Sequence, residues 1–131
     1  MRRSSKYLLT TLAVFVFLQG IGTSFLSNEF IDLLSVQQNT LTTVIVQVLG
    51  ALQLGWGMLN FMCRNHKYGG IFGRPLLLSN LAILVVSGMA MLRALLTGHL
   101  EPFYPFLLLT ALYWLFAFLI FHVIRTNHQT N

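Results

Sequence analysis

The chain has 131 residues, 56% of them hydrophobic and 8% charged, and its eight Lys and Arg against three Asp and Glu leave a net charge of +5. An ordinary globular domain carries roughly 25% charged residues. The composition therefore excludes a soluble enzyme with a solvated surface, a disordered tail and a disulfide-rich secreted module.

Arg2, Arg3 and Lys6 come first, followed by residues 7–28, which contain no Asp, Glu, Lys or Arg. Further charge-free stretches run over 33–63, 75–92 and 102–124. A helix needs about 20 apolar residues, at about 1.5 Å of rise each, to cross roughly 30 Å of hydrocarbon. Each stretch thus supplies one crossing, and the spans are predicted at 8–26, 41–63, 76–97 and 103–124. The polar run Gln37-Gln38-Asn39-Thr40 sets the start of the second, and Pro75 precedes the third. Uncut apolar runs lack the in-out alternation of a membrane strand, so the fold class is all-α, an antiparallel four-helix membrane bundle in a single domain. The opening MRRSSKY-LLTTLAVFVFL also has the shape of a secretory leader. Against cleavage, the apolar segment continues through Ile21 and Phe25 and no A-x-A-like site follows.

Between the first two spans, residues 27–35 read as a short amphipathic helix on the outer interface. Phe30, Leu33 and Leu34 share one face by their i, i+3, i+4 spacing, with Glu29 and Asp32 turned to water. Orientation follows from the cations. Arg2, Arg3, Lys6, Arg64, Lys67, Arg74 and Arg125 share one side of four crossings, while Glu29, Asp32 and Glu101 lie on the other. Basic loops stay cytoplasmic, so both termini are expected there, in the cytoplasmic membrane if the source is bacterial. Basic residues spread between apolar runs do not form a nucleic-acid patch, so no nucleic-acid partner is expected.

In lipid, helices associate through close packing and interhelical hydrogen bonds, because burying apolar area gives no net drive. At 100° per residue, Thr43, Gly50, Gln53, Gly57 and Asn60 fall on one stripe of the second span. The third span has Asn80, Ser87 and Ala94, and the first has Gln19, Gly20 and Ser24 toward its outer end. Two readings stand for these groups. They glue the bundle, or Gln53, Asn60 and Asn80 line a ligand pocket. Trp56 and Trp114 fall near the middle of their spans rather than at the interfaces where Trp is enriched. Packing inside the bundle accounts for them, and stacking on a flat hydrophobic ligand such as a quinone is the alternative.

Arg93 is the one formal charge inside a span, about a turn from its outer end. It either snorkels as an anchor or joins Glu29, Asp32, His99 and Glu101 in an outer charged cluster that takes an anion or ligand. Of the remaining histidines, His66, His122 and His128 belong to the inner side, and no carboxylate stands with them, so no metal site is expected. Cys63 is the sole cysteine, which excludes a redox dithiol within one chain. Serine-hydrolase, P-loop and Rossmann motifs are absent, and no Asp or Glu lies within a span to carry proton coupling. The inner loop 64–75, with three Gly and a terminal Pro75, is a tight basic connection compatible with contact to acidic headgroups.

The run LGALQLGWGMLNFMCRNHKYGGIFGRPLLLSNLA, residues 49–82, resembles the corresponding part of small DoxX-like four-helix membrane proteins. In these a Gly-rich second span ends in a basic Gly/Pro loop leading to the third. The resemblance implies an accessory subunit of a membrane oxidoreductase, with quinone or partner-protein contact, and carries over no catalytic residue. The residues themselves point to a non-enzymatic membrane protein that acts through contact with another membrane protein or with itself. A binder of a quinone or lipid, using Gln53, Trp56, Asn60 and Trp114, is the alternative.

Overall fold

The computed structural model describes residues 2–33, 37, 39–65, 73–97 and 103–128. Five helices follow in order: α1 Arg2–Phe25, α2 Ser27–Leu33, α3 Thr40–Cys63, α4 Gly73–Leu96 and α5 Phe103–His128. Four of them hold spans long and apolar enough to cross a membrane, Lys6–Phe25, Thr40–Cys63, Gly73–Leu96 and Tyr104–Thr126. They point to an integral, multi-pass membrane protein.

The helices start earlier or end later than the apolar runs. α1 takes in Arg2 to Tyr7, and α5 continues past Ile124 to His128. Hydropathy marks where hydrocarbon ends, whereas backbone hydrogen bonding continues into the polar interface. α4 begins at Gly73, so Pro75 sits inside its first turn rather than ahead of the helix. A first-turn N–H has no intrahelical acceptor, so proline costs nothing there. Pro105 occupies the same place in α5. The start of α3 is capped as its sequence allows. Asn39 is extended (φ −141°, ψ 162°), and its Oδ1 accepts from Thr42 N at 2.7 Å and from Thr42 Oγ1 at 2.9 Å.

The segment after α1, expected as a short helix at 27–35, is helical over Ser27–Leu33. At Leu26 the chain bends, yet Leu26 N donates to Gly22 O and Phe30 N to Leu26 O, both at 2.9 Å. α2 is therefore a bent continuation of α1. Its buried residues are Ser27 and Ile31, while Leu33 faces outward and Phe30 is half-buried. Glu29 and Asp32 are exposed, as expected. The inward stripe of α1 carries on through the bend to meet α3. That contact, rather than the segment's own amphipathicity, selects what is buried. Leu34 lies outside the described residues.

By contact, the chain divides into two compact units, Met1–Arg64 and Asn65–Asn131. In the first, Leu9, Ala13, Val16, Gly20, Thr23 and Ser27 are buried at alternating steps of four and three, and Ile31 follows four further on. Their counterparts on α3 are Thr43, Val46, Gly50, Gln53, Gly57 and Asn60, half-buried or buried at the same steps. This is the spacing of helices packed nearly in line. Gly20 lies opposite Leu54, Ser24 opposite Gly50 and Ser27 opposite Gln47, so α1 and α3 run antiparallel. In the second unit, residues 97–102 join α4 to α5. α4 packs against α5 in this unit, with Gly88 beside the Trp114 ring.

Candidate functional site

The α1–α3 seam is built on absent side chains. A Cβ on Gly50 would meet Ser24 N at 2.6 Å and Thr23 Oγ1 at 2.7 Å, besides running into Ser24 Oγ. One on Gly20 would meet Leu54 N at 2.8 Å, and one on Gly57 would meet Ala13 O and Phe17 N at 3.1 Å. Three glycines thus let two backbones approach within lipid, where tight contact replaces the missing hydrophobic drive. Ser24 Oγ, buried without a hydrogen-bond partner, fills the space that a side chain at residue 50 would take.

Polar bonds cross the same seam. The Thr23 hydroxyl lies 3.1 Å from Gln53 Oε1 and can donate to it, with the carbonyls of Gln19 and Gly20 as alternative acceptors at 3.0 and 3.3 Å. Gln47 Nε2 donates to Ser27 Oγ at 3.4 Å. An interhelical side-chain bond in a bilayer is worth about 0.6 kcal/mol, with a ceiling of about 1.7 kcal/mol. Thr23→Val keeps the shape and removes the donor. It is expected to lower stability by that amount in a denaturant titration of the micelle-embedded protein, and an unchanged midpoint would show that the bond adds nothing.

Of the residues singled out in the sequence, Gln53 is held in this seam. Asn60 is fully buried one turn past Trp56 and donates from Nδ2 to the Trp56 carbonyl at 2.9 Å. Trp56 itself is half-buried. Asn80, fully buried, and Trp114 belong to the second unit. Trp114 is 37% exposed, and its indole lies flat against Gly88, whose Cβ would stand 3.2 Å from Nε1. Gly88 supplies a seat for the ring.

The first unit also has an open apolar groove of about 420 Å³ between α1 and α3, with Ala13, Phe17, Gly57, Met58 and Phe61 in its walls. Gln53, Trp56 and Asn60 take no part in it. Arg64, just past the end of α3, folds back onto Phe61, one of the groove's wall residues. Its guanidinium stands 3.4 Å from the centroid of the Phe61 ring, and Nη1 donates to Phe61 O at 2.9 Å.

The outer charges are placed as follows. Glu29 and Asp32 are exposed on α2, and Arg93 is exposed in the last turn of α4, where a cation complements the helix dipole. His99 and Glu101 lie outside the described residues, as do His66 and Lys67. Among the described residues no three His, Cys, Asp or Glu gather in a way that would hold a metal ion.

No family model, curated protein or solved structure matches this chain. What the described residues offer is close backbone packing, amide and hydroxyl hydrogen bonds and apolar surface. Thr23 and the Arg64–Phe61 stack escape a reading of the sequence by residue type. Thr23 is legible in hindsight as one step of the alternating stripe that also contains Gly20 and Ser27. The fold-back of Arg64 leaves no sequence signal beyond its spacing of three from an aromatic residue.

Proposed function

We propose that the chain is a non-enzymatic four-helix membrane bundle, with both termini cytoplasmic, that works by helix–helix contact with a membrane partner or a second copy. The observation that carries this reading is the outer face of α3. Ile45, Val48, Leu52, Gly55, Leu59 and Met62 face outward at alternating steps of three and four, and a Cβ on Gly55 would meet nothing within 4 Å. Only 17% of the apolar window of α3 is buried, against 28–33% for the other spans. A ridge of large side chains broken by a glycine suits the close approach of another helix in lipid. The sidedness of seven cations against one supports the proposed orientation.

The test is the mass of the protein purified in mild detergent. An assembly larger than one chain is expected, and Gly55→Leu is expected to shift it to monomer with helicity unchanged. A lone monomer from the unaltered protein would overturn the reading. Arg93, on this proposal, anchors the outer end of α4 by snorkelling. Arg93→Ala is accordingly expected to leave the amount of membrane-inserted protein unchanged in fractionated cells, and its loss from the membrane fraction would assign Arg93 a part in insertion.

A second reading is favoured by Trp114, whose indole has one face seated on Gly88 and more than a third of its surface open. Such a ring is a stacking surface for a quinone. The resemblance of residues 49–82 to DoxX-like proteins supports the same accessory role beside a membrane oxidoreductase. An organic extract of the purified sample that contains a stoichiometric quinone would favour it over the first reading.

A further inference from the structure

We propose that the groove between α1 and α3 is a binding site for one acidic phospholipid, with an acyl chain lying in the groove and the phosphate held at its end by Arg64 and Lys6. The groove itself is apolar along its length and opens outward, with Val14 half exposed and Phe17 and Phe61 more than 40% exposed on its walls. That chemistry fits a hydrocarbon chain of about this volume and offers nothing to a polar ligand.

Its charged end identifies the lipid class. Arg64 is pinned over Phe61, a wall residue, by the ring contact and the bond to the Phe61 carbonyl. Its guanidinium keeps further donors in its planar fork, the geometry that meets phosphate oxygens in pairs. Lys6 is exposed near the same end of the antiparallel pair, because α1 residues 13 and 17 lie against Gly57 near the C-terminal end of α3. At 100° per residue Lys6 also falls within about 50° of the groove face of α1. The cations stand about 9–10 Å along the helix axes from Met58 and Ala13, six and seven residues away. A lipid needs this arrangement, with its phosphate at the interface and its chain reaching inward from there. A zwitterionic lipid carries the same phosphate but sets its own ammonium group beside Arg64 and Lys6, so a lipid of net negative charge is favoured. The site lies on a different face of α3 from the Gly55 ridge, so occupancy of one does not preclude the other.

Native mass spectrometry of the full chain in mild detergent, with equal amounts of phosphatidylglycerol and phosphatidylcholine, tests the site. One cation near a membrane surface is worth about fivefold in affinity for an acidic lipid, so the protein is expected to retain phosphatidylglycerol by at least that factor. Arg64→Ala is expected to lower the ratio about fivefold, and Arg64→Lys, which keeps the charge, to preserve most of it. Val14→Trp, which fills the groove from an outward-facing position, is expected to lose both lipids. Equal retention of the two lipids by the unaltered protein would overturn the proposal. So would an undiminished preference in Arg64→Ala, undiminished binding in Val14→Trp, or a lipid-free dimer in which Val14→Trp breaks the association, since a second copy would then be the occupant.

Discussion

Gly50→Leu is expected to separate α1 from α3 and to cost about 3 kcal/mol, whereas Gly55→Leu, five residues further along the same helix, leaves the pair intact. The difference lies in what surrounds each Cα. At residue 50 an added side chain meets the backbone nitrogen and hydroxyl of Ser24 and the hydroxyl of Thr23. None of these is the far end of a flexible chain, so the helices must part. Parting them lengthens the Thr23–Gln53 bond, 3.1 Å in the packed pair, and loosens the contacts of Gly20 and Gly57 on either side. At residue 55 the side chain enters open space, and leaving a helix-interior glycine behind gains up to about 1 kcal/mol in propensity. Denaturant titration of both variants in mild detergent, followed by circular dichroism, is the measurement. Equal midpoints would mean that the α1–α3 seam contributes no stability.

Reversal of topology is the second large effect, and it follows from the proposed orientation. Asn65 is exposed just beyond α3 and beside Cys63, the only cysteine. In a Cys63→Ser, Asn65→Cys protein, a membrane-impermeant thiol reagent is expected to label residue 65 only after cells are opened. If Arg64, Lys67 and Arg74 are replaced by Ser and Lys is placed at Gln37, Gln38 and Thr40, the cation bias around α3 reverses. Most molecules should then be labelled in intact cells, since short-loop Lys and Arg dominate the choice of side. Labelling of the starting protein in intact cells would invert the proposed orientation outright.

The stripe Thr43, Gly50, Gln53, Gly57 and Asn60 was readable from residue type and helical period, and it does form the inner face of α3. Its partner was less so. Gln19, Gly20 and Ser24 mark the right turns of α1, but Thr23 takes the hydrogen bond, because a threonine in an apolar helix ordinarily bonds its own preceding turn. The short α2 shows the limit of local pattern. Its apolar spacing at Phe30 and Leu33 describes a face toward the interface, while the contact with the rest of the unit is made by Ser27 and Ile31, in the register inherited from α1. The central position of Trp114 in its span has a related limit. A central position along a helix gives depth in the membrane and says nothing of the direction around the axis.

From the chain alone came the helical class, four crossings and their places. A bilayer core leaves no backbone group unpaired and demands about 20 apolar residues per helix, a constraint that acts on each segment separately. Which glycines touch backbone and which stand open, which amide crosses a seam and where a groove remains were decided only by tertiary packing. Those outcomes depend on two helix faces meeting within a few tenths of an ångström, and a segment's own hydropathy is the same whichever face its neighbour takes.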